Sequence, residues 1–434
     1  MKLAVVGTGY VGLVSGVCFA ETGNEVVCVD IDEAKVADLK AGKIPIYEPG
    51  LELLFHRNLE QGRISFTTDL ASAVKQSEIV FLALPTPPAE DGSADLSYVE
   101  GVARQLAGLI ERYTIVVNKS TVPVGTAERV CDILSEHLPR DLFDVVSNPE
   151  FLREGVAVED FLKPDRVVIG AWSERAAELM KRLYQPYVRQ GNPILIMDPR
   201  SAEMTKYASN SYLAARISFM NEMANLCERV GADVNKVRLG MGSDSRIGKR
   251  FLFPGVGFGG SCFPKDVRAL FKTAEENGYR FRILEAVIQV NERQKGALVR
   301  KIRKFYGEDL SGKCIAIWGL AFKPETDDIR EAPALHTIDA LLEAGASLRV
   351  YDPEAMDNVR EKYGKALHYA QDSYDALLDA DALAILTEWS AFRTPNFEVM
   401  KKLMREPAIF DGRNLYDPSF VKSKGFHYEG IGRR

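Results

Sequence analysis

Residues 2–12 read Lys2-Leu3-Ala4-Val5-Val6-Gly7-Thr8-Gly9-Tyr10-Val11-Gly12, and this stretch decides the fold. Leu3 to Val6 is an apolar run of strand length, and Gly7-x-Gly9-x-x-Gly12 follows it directly. An amphipathic helical pattern continues to about Thr22, and a second strand, Glu25 to Val29, ends at Asp30. In such a turn Gly7 permits the tight bend, Gly9 lets the backbone approach a pyrophosphate, and Gly12 lets helix and strand pack closely. The phosphates then sit on N–H groups at the positive end of the helix. Asp30 stands where a carboxylate accepts hydrogen bonds from both ribose hydroxyls and repels a 2′-phosphate. That favours NAD over NADP, and Lys35 nearby tempers the preference slightly. The competing reading is a tight glycine turn with no ligand; the strand–turn–helix setting argues against it.

Working outward, further strands are expected at Ile79–Leu84, Ile115–Asn118, Val145–Ser147 and Val167–Ile169, with helical patterns between most of them. Strands alternating with helices imply a parallel sheet covered on both faces. From Ser201 to Val230 the pattern changes. Met204, Tyr207, Ala208, Tyr212, Ala215, Phe219, Met223 and Leu226 recur at helical spacing, and thirty helical residues span ~45 Å. More helix is expected over Asp266–Asn277 and Ile283–Phe305. This stretch is too thin for a core of its own and suits a bridge or a dimer spine. From Lys313 the alternation returns, with a strand at Cys314–Trp318, a helix at Pro333–Glu343 and a strand at Ser347–Tyr351 ending on Asp352. Gly345 precedes Asp352 by seven residues, as Gly23 precedes Asp30, which suggests an internal repeat. Chance likeness of two common strand–helix–strand units is the alternative. The expected fold is α/β, with two Rossmann-like, doubly wound parallel-sheet domains joined by a long central helix and a small helical domain. The segments are 1–200, 201–308 and 309–434.

Composition narrows the function classes. The 434 residues carry 55 Lys plus Arg against 61 Asp plus Glu, a formal charge of -6 with no basic block. Nucleic acid and anionic membrane both want clustered cations, so neither is an expected partner. No apolar run approaches the ~18 residues of a membrane span. Glycines interrupt the apolar N-terminus and no cleavage pattern follows, so it does not read as a signal peptide. Six cysteines are too sparse for a disulfide scaffold, and a cytoplasmic location is expected. The five histidines show no metal spacing, so no metal is expected.

The most unusual segment is Gly255-Val256-Gly257-Phe258-Gly259-Gly260-Ser261-Cys262-Phe263-Pro264-Lys265-Asp266. Its glycines make a loop able to press its backbone against a ligand. Cys18, Cys28, Cys131, Cys227 and Cys314 lie among apolar residues and read as core. Cys262 lies among turn residues, with Lys265 near enough to favour a thiolate, and reads as a nucleophile. Lys206 and Asn210 are i and i+4 on the long helix and share a face. They could hold a substrate hydroxyl and the oxyanion it becomes, or form a solvated polar stripe. Thr86, Thr121, Glu150 and Glu154 fall at expected strand ends, and Asp266 could act as base or position water. The second half has Gly319-Leu320-Ala321-Phe322-Lys323 in place of the glycine fingerprint. Its crevice could take another nucleotide, with Lys323 near the phosphates or sugar, or be purely structural.

Together these segments resemble the UDP-glucose/GDP-mannose dehydrogenase family over nearly the whole chain. The shared features are the glycine turn with Tyr10-Val11, the segments around Thr121 and Glu150, Lys206-x-x-x-Asn210, the Cys262 loop and Gly319 to Lys323. Phe251-Leu252-x-Pro254-Gly255 is more like the UDP-glucose branch than the GDP-mannose branch. The resemblance implies four-electron oxidation of a sugar C6 alcohol to a carboxylate with two NAD. Lys206, Asn210 and Asp266 would assist loss of the hydroxyl proton. Cys262 would trap the aldehyde, and Thr121, Glu150 and Asp266 would position or activate water. Gly7, Gly9, Tyr10, Val11, Gly12, Asp30, Lys35, Thr86, Thr121, Glu154 and Arg330 would hold NAD. Phe151, Leu152, Lys206, Asn210, Phe251, Phe258, Gly259, Lys323 and Arg413 would hold the nucleotide sugar, a small-molecule substrate. Arg246 would reach it from the other copy of a helix-mediated homodimer. Other readings stay open: another nucleotide sugar, a two-electron hydroxyacid dehydrogenase, or an NAD-sensing module without turnover.

Overall fold

The apolar runs that open each half become the central strands of two sheets. The computed structural model describes residues 1–89 and 91–433, which divide into two units, Met1–Ser209 and Asn210–Arg434.

The first unit holds β1 (Lys2–Val6), β2 (Glu25–Val29), β3 (Ile64–Thr67), β4 (Ile79–Leu82), β5 (Thr114–Asn118), β6 (Phe143–Ser147), β7 (Val167–Ala171) and β8 (Ile194–Met197). Their order is β3-β2-β1-β4-β5-β6-β7-β8. β1 pairs in parallel with β2 and β4, Val6 lying opposite Val29 on one side and Leu82 on the other. Successive side chains of a strand face opposite ways, so Leu3 and Val5 join one apolar cluster while Ala4 and Val6 join another. Burial on both faces is why β1 and β4 read as unbroken apolar runs rather than alternating ones. The sheet is not wholly parallel, contrary to expectation. β7 runs antiparallel to β6, with Val146 opposite Ala171, and β8 follows β7 in parallel. The four-residue edge strands β3 and β8 were not expected from the sequence.

The second unit holds β9 (Cys314–Trp318), β10 (Ser347–Tyr351), β11 (His368–Tyr369), β12 (Ala382–Ile385), β13 (Ala408–Asp411) and β14 (His427–Glu429). They are ordered β11-β10-β9-β12-β13-β14, every pair parallel. This is the order of the first six strands again, so the expected repeat is present. It extends to the turn. Gly7 N–H donates to Val29 O at 2.8 Å, and Gly319 N–H donates to Tyr351 O at 2.9 Å.

The long helix spans Pro199–Val230, 32 residues, and the division between units falls within it. The helical residues past that division have no separate core. Met220, Ala224 and Cys227 share an apolar cluster with Ile315 and Ile317 of β9. The helix expected over Ile283–Phe305 is two helices, Arg282–Lys295 and Ala297–Tyr306, interrupted at Gly296.

Candidate functional site

In the first unit the winding direction reverses between β1 and β4, and that switch point sets the candidate cofactor cradle at the carboxyl ends of the strands. A Cβ on Gly12 would lie 1.9 Å from Gly7 O, so helix and turn touch only because Gly12 has no side chain. A Cβ on Gly9 would meet nothing within 4 Å. The space over Gly9, at the start of helix Tyr10–Glu21, is therefore open to a pyrophosphate. Val11 packs against the apolar cluster behind.

Asp30 Oδ2 accepts from Thr8 N–H at 3.0 Å and from Lys35 Nζ at 2.8 Å, and Oδ1 accepts from Asp32 N–H at 3.2 Å. Burial pushes this carboxyl up, but the bonds from Lys35, Thr8 and Asp32 outweigh it and hold it down at about 2. It is ionised at neutral pH, and Oδ1 keeps capacity for a ribose hydroxyl. These residues fit NAD.

Thr86, Thr121 and Glu150 follow β4, β5 and β6 respectively. Thr86 Oγ1 donates to Thr121 O at 3.0 Å. Glu150 is buried, its Oε1 accepting from Lys206 Nζ at 3.0 Å and its Oε2 from Leu152 N–H. Two cations approach the Phe151 ring, the Arg166 guanidinium 3.6 Å from its centroid and Lys206 Nζ at 5.3 Å. Lys206 and Asn210 are both buried, which excludes a solvated stripe.

Lys119 and Glu48 of this unit escaped the sequence reading. Buried Lys119 donates to Asn148 Oδ1 at 3.1 Å and Tyr184 Oη at 3.2 Å. Burial drags its ammonium down to about 8, with Lys206 adding to the fall and Glu150 opposing it. Its position two residues before Thr121 was the available signal. Buried Glu48 accepts from Gly155 N–H at 2.6 Å, Ala157 N–H at 2.7 Å and the Tyr10 hydroxyl. Burial, then the Glu48 bond and charge, raise the Tyr10 phenol far above its usual range, and the charge of Glu154 adds to this. Glu48 thereby couples Tyr10 to the segment carrying Glu154.

In the second unit Cys262 caps helix Phe263–Glu276, at the end where unpaired N–H groups and the helix dipole favour negative charge. Its Sγ lies 3.4 Å from Ser261 Oγ. One turn on, Asp266 is fully buried and accepts from Asn210 Nδ2 at 2.7 Å and Lys265 Nζ at 2.7 Å. Lys265, three residues from the thiol in sequence, is thus tied to Asp266. A Cβ on Gly259 would lie 2.2 Å from Glu331 O, so the loop presses against protein backbone. Asn291 grips Phe258 at both ends, accepting from its N–H at 2.8 Å and donating to its carbonyl at 3.1 Å. Phe251 has a left-handed φ of 58°, uncommon for a bulky residue, and its ring lies 6.2 Å from that of Phe263.

Around the second sheet, Arg413 donates to Leu386 O at 2.7 Å and Phe322 O at 3.2 Å, bridging loops after β9, β12 and β13. Lys323 Nζ lies 5.3 Å from the Phe322 ring centroid. Arg330 pairs twice with Asp328 at 2.8 Å. Arg246, its side chain 87% exposed, pairs with Asp244. Among the other thiols, Cys18, Cys28 and Cys227 are buried, and burial pushes Cys28 up to about 12. Cys131 and Cys314 are only half-buried, less enclosed than core residues. Among the described residues no group of acids, histidines and cysteines could hold a metal ion, and no helix is long and apolar enough to cross a membrane.

Three family models match in sequence along the chain, all of the UDP-glucose/GDP-mannose dehydrogenase family: the NAD binding domain over residues 1–188, the central domain over 200–293 and the UDP binding domain over 316–418. The UDP-glucose 6-dehydrogenase of Pseudomonas aeruginosa is 50% identical, covering 100% of this chain and 98% of its own. TuaD, a UDP-glucose 6-dehydrogenase of Bacillus subtilis, is 48% identical, covering 100% and 93%. A solved UDP-glucose dehydrogenase from Pyrobaculum islandicum superimposes with a TM-score of 0.92 at 42% identity, covering 100% and 98%.

Proposed function

The chain belongs to the UDP-glucose/GDP-mannose dehydrogenase family, and from that premise we propose how its residues divide the work of oxidising UDP-glucose with NAD. It is an NAD-dependent oxidoreductase acting on that sugar nucleotide. When bound, NAD supplies the hydride acceptor for each of two oxidations. Gly7, Gly9, Tyr10, Val11, Gly12, Asp30, Lys35, Thr86, Thr121, Glu154 and Arg330 hold it. Phe151, Leu152, Phe251, Phe258, Gly259, Lys323 and Arg413 hold UDP-glucose. The working segments are 1–200 for the cofactor, 201–308 for the thiol loop and dimerisation, and 309–434 for the nucleotide.

The first oxidation takes a proton and a hydride from the C6 alcohol. Lys206, Asn210 and Asp266 assist loss of the hydroxyl proton, the Lys206 ammonium and Asn210 amide N–H groups holding the developing oxyanion. Cys262 then adds to the aldehyde, giving a thiohemiacetal whose carbon bears a hydroxyl and one remaining hydride. Loss of that hydride and a proton leaves a thioester. Water, positioned by Thr121, Glu150 and Asp266, displaces the thiolate and releases UDP-glucuronate. A thiol is needed because an aldehyde lacks the second oxygen that makes a further hydride loss yield an acid.

The observation that carries this reading is Cys262 at the head of its helix, one turn from a buried Asp266–Asn210 pair. Stoichiometry tests it. Two NADH per UDP-glucose are expected, whereas one NADH and a released aldehyde would remove the thiol from the reaction. The cytoplasmic location belongs to the same proposal, and six cysteines without a disulfide suit a reducing compartment. So does a homodimer through the long helix. Tyr212, Phe219 and Leu226 repeat every seven residues on one face and are 63%, 54% and 50% exposed. Across that dimer Arg246 reaches the substrate of the other copy.

A further inference from the structure

We propose that Glu203 is a positioning residue for this reaction, tying the loop that bears Thr121 and the strand end that leads to Glu150 to the helix turn that bears Lys206. The inference rests on the functional reading above, because only there do those three residues carry chemistry.

Glu203 lies on the long helix and is 2% exposed. Its Oε2 accepts from Gly125 N–H at 2.7 Å, and its Oε1 accepts from Ala127 N–H at 2.9 Å and Ser147 Oγ at 2.8 Å. Gly125 caps helix Thr126–Ser135 with a left-handed φ of 97° and has no side chain to satisfy the first-turn N–H groups. Glu203 supplies that acceptor from another element, at the helix end that attracts negative charge. The segment it fixes begins at Thr121, four residues before Gly125. Ser147 ends β6, three residues before Glu150. Lys206 lies three residues beyond Glu203 on the same helix face, and its Nζ reaches Glu150 at 3.0 Å. One helix turn therefore anchors the Ser147–Glu150 segment at both ends, and the Thr121 loop with it.

A structural cap alone would explain the hydrogen bonds, so titration separates the two roles. Burial pushes the Glu203 carboxyl up to about 7; the bonds from Ser147, Gly125 and Ala127 hold it down, and the charge of Glu128 adds to the rise. Glu128 faces it from helix Thr126–Ser135, and Arg200, bound to Glu128 at 2.5 Å, faces it from its own helix. Above that pH the carboxylate accepts all three bonds. Below it, the added proton turns one oxygen into a donor and weakens the hold on the N–H groups. The grip on the Thr121 loop thus tightens as pH rises through neutrality.

The test measures NADH release from UDP-glucose between pH 6 and 8.5 for the wild-type chain, Glu203→Gln and Glu203→Ala, with NAD affinity by fluorescence titration. Glu203→Ala should lower kcat roughly 10- to 100-fold while KM for UDP-glucose stays within about threefold. Glu203→Gln keeps the size and one acceptor but cannot change charge. It resembles the protonated acid, so its kcat should stay at the wild type's low-pH level at every pH, above that of Glu203→Ala, with the limb near pH 7 lost. The proposal is overturned if Glu203→Ala turns over like the wild type, or if Glu203→Gln keeps the limb. Should the alanine variant fail to fold, the glutamine profile decides alone. A wild-type chain that yields no NADH from UDP-glucose overturns the functional reading, and this inference with it.

Discussion

Cys262 is set apart from the other five thiols by its backbone: it caps a helix, whereas Cys18, Cys28 and Cys227 are enclosed in apolar clusters. Replacing it with serine changes one atom and leaves the cap in place. Turnover of Cys262→Ser should fall by a factor of roughly 10³ or more, because an oxygen ester hydrolyses far more slowly than a thioester, while UDP-glucose and NAD affinities measured by calorimetry stay unchanged. Asp30 offers a second single-residue test. Losing charge-assisted bonds to a ribose, about 1.5–3 kcal/mol each, should weaken NAD binding of Asp30→Ala by at least tenfold and narrow its preference over NADP. NAD and NADP titrations check both. The carboxyl sits at about 2 in the folded chain against an ordinary 3.8. Its share of stability is therefore present above about pH 4 and is lost as pH falls through 2.

Between elements, Glu48 shows how a distant carboxylate sets a loop. Removing it leaves the N–H groups of Gly155 and Ala157 and the Tyr10 hydroxyl without their acceptor. Each orphaned buried group costs ~1–3 kcal/mol, so Glu48→Ala should lower the unfolding free energy by several kcal/mol in denaturant titration. Glu48→Gln should recover part of it. The limits of sequence reading lie at this scale. β2, β9 and β10 were legible to the residue because compact runs closed by a terminal aspartate or glycine turn mark strand ends. β3 and β8 are edge strands of four residues, and so short a segment leaves little periodicity to read. The thiol loop was recognisable by its glycines, but the atoms those glycines lie against belong to Asn291, Phe322, Glu331 and Gly412, distant in the chain. Glu48, Lys119 and Glu203 are charged residues that look solvated in sequence, and their partners lie 29 to 109 positions away. Lys119 and Glu203 had local hints, one lying two residues before Thr121 and the other sharing a helix face with Lys206.

For the whole molecule, the apolar stripe of Tyr212, Phe219 and Leu226 calls for a covering partner. A glutamate at position 219 would bury an unpaired charge in such an interface. On the proposed homodimer, Phe219→Glu should therefore convert the dimer to a monomer in light scattering; a dimer that persists, or a wild-type chain that is already monomeric, would overturn that seam. The duplicated sheet has a different lesson. Asp30 and Asp352 close the second strand of their respective repeats, yet their surroundings have parted. Asp30 keeps part of its surface, and one of its partners is a lysine able to swing away. Asp352 is enclosed, its oxygens spent on the N–H groups of Leu320, Ala321, Glu354 and Ala355 and the Trp389 indole. Grafting three glycines into the segment after β9 would thus not recreate a dinucleotide reader there. The Asp352 carboxylate is instead a hub that holds the loops after β9, β10 and β12 together. A ribose at that strand end would have to displace the hub first, so the two halves cannot exchange roles through their glycines alone.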